Sequence, residues 1–180
     1  MKIGIIGTAG RKEDGKRLTK DSFNKMVKDA KDRIKIWRFE KNKIDLVSGG
    51  APWADHVAVS LYLSGDADTL TLFLPCMFDR THKKFFPEGE GKPASIINYY
   101  HEKFGKAVGG SSRDGLVKAE KKGAILIELD GFMQRNIKVG EVDVLLAYTF
   151  GFGIPSSSGT KHCWDNSPAA KKIHVGISTL

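Results

Sequence analysis

Short runs of apolar residues, each closed by glycine, serine or proline, alternate along this chain with segments patterned as helices. Residues 2–7 (KIGIIG), 44–48 (IDLVS) and 69–75 (TLTLFLP) are nearly continuous in apolar side chains. A strand with no polar side must be covered above and below, which points to a parallel sheet with helices on both faces. The intervening segments supply those helices. One starts near Thr19 or Asp21, both good cap residues, and carries Phe23, Met26, Val27, Ala30, Ile34 and Trp37 on one face before fading ahead of Asn42. Another opens at Ala51-Pro52, with proline tolerated in the first turn, and runs through Ala58 and Leu61 to a stop at Ser64-Gly65. The order βαβαβ builds half of a doubly wound sheet.

The pattern resumes near the end of the chain. A helix is predicted around 132–139, a strand over 143–149 (DVLLAYT), a glycine- and serine-rich loop over 151–159, a helix from about Thr160, and a last strand over 172–178 (KIHVGIS). The stretch 76–131 reads as an irregular insertion that starts as loop, has helical character over 94–104 and 111–122, and covers one edge or the mouth of the sheet. The predicted fold class is therefore α/β: a Rossmann-like open parallel sheet with helices on both faces, in a single domain over residues 1–180.

Composition narrows the classes of function. With 41% hydrophobic and 28% charged residues, the chain is globular rather than disordered. No stretch approaches the roughly 20 apolar residues of a membrane span, and residues 1–6 run straight into a strand without a leader, so a cytoplasmic location and no membrane partner are expected. The cysteines, Cys76 and Cys163, fit no metal-ligand spacing and are expected to stay reduced, Cys76 packed and Cys163 near a candidate ligand loop. The histidines are scattered, so neither a metal site nor a cofactor is expected. A formal net charge of +8 favours an anionic partner. Lys25, Lys28, Lys31 and Lys35 recur at helical spacing with Asp29 and Asp32 between them, the pattern of a solvated helix face.

In an open parallel sheet ligands sit outside the carboxyl ends of the strands, and the loops that fall there are unusual. Gly7-Thr8-Ala9-Gly10-Arg11 combines small residues, which let backbone N–H groups approach an anion, with an arginine suited to bidentate phosphate pairing. Ser48-Gly49-Gly50-Ala51 joins a strand directly to a helix, so orphan N–H groups and the helix dipole point at the ligand edge. One turn on lie Asp55, suited to a ribose hydroxyl or to acid/base chemistry, and His56. Ser156-Ser157-Ser158-Gly159-Thr160 offers another anion nest.

This ordered set resembles the SLOG superfamily, which includes LOG-type phosphoribohydrolases, DprA-like proteins and YpsA-like proteins. The resemblance rests on residues 7–11, on Val47-Ser48-Gly49-Gly50-Ala51 with Ala54-Asp55 and Ala58, on Arg135-Asn136 ahead of residues 142–148, and on Ser158-Gly159-Thr160. It covers most of the chain outside 76–131. It implies a pocket for nucleotides or related ligands and association into a homo-oligomer. The LOG enzymes carry a Pro-Gly-Gly-x-Gly-Thr loop followed closely by a catalytic glutamate. Here Gly159-Thr160 is kept and Arg135 matches the family's arginine, but Ser156 to Ser158 precede the loop, Lys161-His162-Cys163 follow it, and the acid is missing.

The expected function is non-catalytic binding of a nucleotide-derived signal, cyclic or of ADP-ribose type, by a sensor or sequestering protein. Its phosphates would lie on the Gly49-Gly50 and Gly159-Thr160 loops with Arg11 and Arg135 as charge partners, and Trp53, Phe150, Phe152 or Trp164 would stack on the base. The first alternative is a nucleoside 5′-monophosphate N-glycosidase with Asp55 as its acid. The second is a DprA-like binder of single-stranded DNA, for which the chain lacks an aromatic-basic interleaved groove.

Overall fold

A computed structural model describes residues 1–40, 43–156 and 158–180. Its core is a six-stranded sheet built from β1 (Lys2–Gly7), β2 (Asp45–Ser48), β3 (Thr69–Leu74), β6 (Ile125–Glu128), β7 (Val144–Thr149) and β8 (Lys171–Gly176). The strands lie in the order β6-β3-β2-β1-β7-β8, and every neighbouring pair is parallel. The chain steps outward from β1 to β6, then returns to place β7 on the other side of β1. The strand order thus reverses between β1 and β7, where the loops that follow them diverge and leave a crevice.

Successive side chains of a strand point to opposite faces, and here both faces are buried. Ile3, Ile5, Leu46, Leu70, Leu72, Leu146 and Tyr148 pack beneath α2 (Lys20–Glu40), α3 (Ala54–Leu63) and α5 (Ser112–Lys121). Ile6, Val47, Leu145 and Ala147 pack beneath α6 (Gly131–Gly140) and α7 (Ser158–Asn166). The Rossmann-like open sheet with helices on both faces is therefore present. α3 is buried around nearly its whole circumference, Asp55 and His56 included, because α2 and α5 flank it above the sheet. A helix apolar on all sides is stable only in such a position.

Within 76–131 the helical character expected over 94–104 and 111–122 is present, but the rest is more regular than expected. That segment holds a two-stranded antiparallel hairpin, β4 (Met77–Asp79) with β5 (Lys84–Phe86), then α4 (Pro93–Val108), α5 and the edge strand β6, paired with β3 from Thr71↔Ile125 to Leu74↔Glu128. β6 lies at the end of the sheet and carries one covered face only, leaving Ile125 60% exposed. The segment between β1 and α2 contains the single helical turn α1 (Asp14–Arg17), and the last strand gives way to a 3-10 turn at Ile177–Thr179.

The basic face of α2 is tied up in ion pairs. Lys28 meets Asp32 at 2.7 Å, Arg33 meets Asp29 at 2.7 Å, and Lys31 reaches Asp66 at 2.9 Å. No helix among the described residues is long and apolar enough to cross a membrane.

β1 ends in a close crossing. A methyl group on Gly7 would lie 2.0 Å from the Tyr148 carbonyl oxygen and 2.6 Å from the Ala54 Cβ, and the Thr8 N–H bonds that same carbonyl at 2.9 Å. Since both obstacles belong to the sheet and to the start of α3, neither can yield cheaply. Gly7→Ala is expected to destabilise the fold by roughly 3 kcal/mol or more, measured as a lower midpoint of urea unfolding at unchanged slope.

Candidate functional site

The crevice at the strand-order reversal is a cavity of about 450 Å³. The post-β1 loop contributes Gly7, Thr8, Ala9 and Arg11, the start of α3 contributes Ala51 and Asp55, α6 contributes Arg135 and Asn136, and the start of α7 contributes Gly159 and Thr160. Residues remote in sequence, expected separately to face an anion, thus line one space. Hydrogen bonds lock its walls together. The Thr160 hydroxyl donates to the Gly7 carbonyl at 2.9 Å, and the Asn136 side-chain amide donates to the Gly159 carbonyl at 3.2 Å.

The back wall is a buried ion pair. Arg135 Nη1 approaches Asp55 Oδ2 at 2.8 Å, with the two side chains 12% and 7% exposed. Burial pushes the Asp55 carboxyl up from the ordinary carboxylate range, while Arg135 and the backbone N–H of Ala51 favour its ionised form. Asp55 occupies the first turn of α3, where a carboxylate complements the helix dipole. It accepts from the Ala51 N–H at 3.4 Å. The Arg135 Nε is buried with no hydrogen-bond partner among the described residues, which leaves one donor of the ion pair unsatisfied.

This geometry corrects the expectation for Ser48, Gly49 and Gly50, none of which lines the cavity. The helix N-terminus they form is filled by the protein's own carboxylate, Asp55. Ser48 is fully buried and donates its hydroxyl to the Ile5 carbonyl at 2.6 Å. A Cβ on Gly49 would fall 1.6 Å from Arg135 Nη1, so this glycine makes room for the ion pair. The cavity is lined instead by the post-β1 loop and the start of α7. The Ser157 part of the expected nest lies outside the described residues, as does the Ser158 side chain.

Trp53 is also corrected. It is 3% exposed and packs edge-on against Phe104 at 4.8 Å and Phe23 at 6.5 Å. Its apolar bulk is worth more there than at a wet rim. Gly10 lies against the Trp53 ring rather than the cavity, and its N–H bonds the Thr8 hydroxyl at 3.1 Å. His56 belongs to the same aromatic cluster, 5.3 Å from Phe104. Among the other aromatics named for stacking, the Phe150 ring is covered by the Arg17 guanidinium at 4.0 Å, and Trp164 packs on the α6–α7 side of the sheet.

Lys12, Glu13 and Asp14 line the cavity and escaped the sequence reading, while Ser156, from the expected nest, and Cys163, expected near a ligand loop, line it too. Asp14 accepts from the Thr8 hydroxyl at 2.7 Å and so shapes the loop. Its signal was the turn of α1, masked by the surrounding polar residues. Cys163 is 2% exposed, and burial pushes its thiol up to about 12, which leaves it protonated and unreactive. Among the described residues no group of His, Cys, Asp and Glu is arranged to hold a metal ion.

Burial pushes the His56 imidazole down to about 4, and its Nδ1 has no hydrogen-bond partner among the described residues. The folded protein keeps this ring neutral in a pH range where the unfolded chain binds a proton. Stability should therefore be complete above about pH 6.5 and fall as the pH drops from 6.5 towards 4, by about 3 kcal/mol from this residue. Urea unfolding at pH 7.5 and 4.5 checks this, the loss being smaller in His56→Phe.

No protein-family model matches the chain, and no solved structure matches it. It is similar to "Uncharacterized protein R261" of Acanthamoeba polyphaga mimivirus, with 32% identity over 182 residues that span 99% of this chain and 97% of the viral protein.

Proposed function

We propose that this chain, which belongs to one family with the uncharacterized mimivirus protein R261, binds a phosphate-bearing, nucleotide-derived small molecule in the crevice between β1 and β7 and holds it without cleaving it. The resemblance to the SLOG superfamily is part of the same proposal. The observation that carries it is the convergence of the Gly7–Arg11 loop, Arg135 and the start of α7 on one cavity. About 450 Å³ falls in the ~300–1,000 Å³ range of small-molecule sites. Backbone amides at the start of a helix and an arginine with spare donors are what a phosphate uses.

Holding is favoured over cleavage because the carboxylates lining the cavity are engaged within the protein. Asp55 is bound by Arg135, Asp14 by the Thr8 hydroxyl, and Glu13 by Lys16. Cleavage of an N-glycosidic bond wants such a group free to face the ribose. The paired lysines of α2 weigh against a nucleic-acid surface, which needs unpaired cations along a backbone track.

Purified protein should be melted with AMP, ADP-ribose and cyclic nucleotides, each at increasing concentration. A ligand about a hundredfold above its Kd stabilises by about 2.7 kcal/mol, a shift of roughly 5–10 °C for a chain of this size. Arg135→Met, compared with its own unliganded melting point, should lose that shift. No shift with any nucleotide would defeat the binding reading. Release of free base from AMP would defeat the non-catalytic one.

A further inference from the structure

A small side pocket adjoins the main cavity and shares Ala9, Arg11, Ala51 and Arg135 with it. Its remaining wall comes from Pro52, from the N-terminal half of α4, where Tyr100 stands, and from α6, where Phe132 stands. The Arg11 guanidinium carbon lies 5.9 Å from the Tyr100 ring centre and 5.7 Å from that of Phe132. Phe132 also carries the Arg135 guanidinium at 5.6 Å. A flat cation thus rests against the rings, and among the described residues it has no ion pair. Arg11 is exposed, on a loop, while both rings are half-buried and fixed on helices.

We propose that Tyr100 and Phe132 form a stacking slot for the base of the ligand, with Arg11 as its placeholder, so that the occupant is a nucleotide and not a sugar phosphate. This rests on the binding reading above. A planar guanidinium and a planar base make the same kind of contact with an aromatic face. A phosphate entering the main cavity offers Arg11 a stronger, bidentate partner than either ring. Drawing the guanidinium onto the phosphate empties the slot, which at about 20 Å³ is too small to admit a base while Arg11 fills its mouth. Phosphate and base would then be recognised in one coupled movement of a single side chain.

Titration calorimetry with AMP, ADP-ribose and ribose 5-phosphate tests the idea on the wild-type protein, Phe132→Leu and Tyr100→Leu, the last two chosen to keep apolar bulk and checked for unchanged melting. Base stacking on an aromatic is expected to favour the nucleotides over ribose 5-phosphate by about ten- to a hundredfold. Each leucine variant should shrink that ratio by weakening nucleotide binding more than ribose 5-phosphate binding. Magnetisation transfer from protein aromatic protons to the adenine protons should appear with the wild type and fade with Phe132→Leu. Equal affinity for nucleotide and sugar phosphate, or a ratio untouched by both variants, overturns the slot and leaves the phosphate site standing. Failure of every phosphate compound to bind removes the binding reading and the slot together.

Discussion

Arg135 reaches from α6 across the mouth of the sheet to Asp55 in the first turn of α3, and the two charges meet where water scarcely reaches them. Neither could stay there alone: a carboxylate or guanidinium stripped of water and of its partner costs several kcal/mol. The pair therefore ties together helices that cover opposite faces of the sheet, at the edge where the strands end. Its demands spread outward. Gly49 must lack a side chain to let the guanidinium lie against the backbone. The Ala51 N–H is turned to the carboxylate. One nitrogen of Arg135 is left buried without a partner among the described residues.

The remaining walls follow from the strand order. Because the chain returns past β1 to lay down β7, the loops after these strands diverge, and the space between them is filled by neither helix layer. The loops are nonetheless held. Thr8 bonds the end of β7, the Thr160 hydroxyl bonds the end of β1, and Asn136 bonds the start of α7. Beneath them the buried α3 and the cluster of Phe23, Trp53, His56 and Phe104 form a rigid floor. The loops that line the cavity sit over a packed scaffold, an arrangement common in α/β proteins.

Much of this frame was legible in the residues. The runs at β1 and β7 are apolar on both sides, and a doubly covered parallel sheet accommodates such strands. The loops at 7–11 and 158–160 could be assigned to the ligand edge because each follows a strand and precedes a helix. β6 was not legible: it has one covered face, sits among loops and helices, and ends in acidic residues, so nothing in its short pattern separated it from an insertion. Trp53 misled for a related reason. A tryptophan beside a glycine-rich turn has the same local sequence whether it stacks on a ligand or fills the core. Asp55 could be placed at this edge from the sequence, but not as the partner of Arg135, which lies far along the chain.

By itself the sequence determined the secondary structure of the central strands, their parallel arrangement and the edge at which loops gather, because apolar periodicity and turn residues act over a few neighbouring positions. The tertiary structure alone decided which loop amides stay available. It filled the Ser48–Ala51 turn with the carboxylate of Asp55, turned Trp53 inward, and brought Tyr100 and Phe132 beside Arg11. Those outcomes depend on distances between residues tens of positions apart, and such distances are set by packing against the sheet rather than by any local pattern.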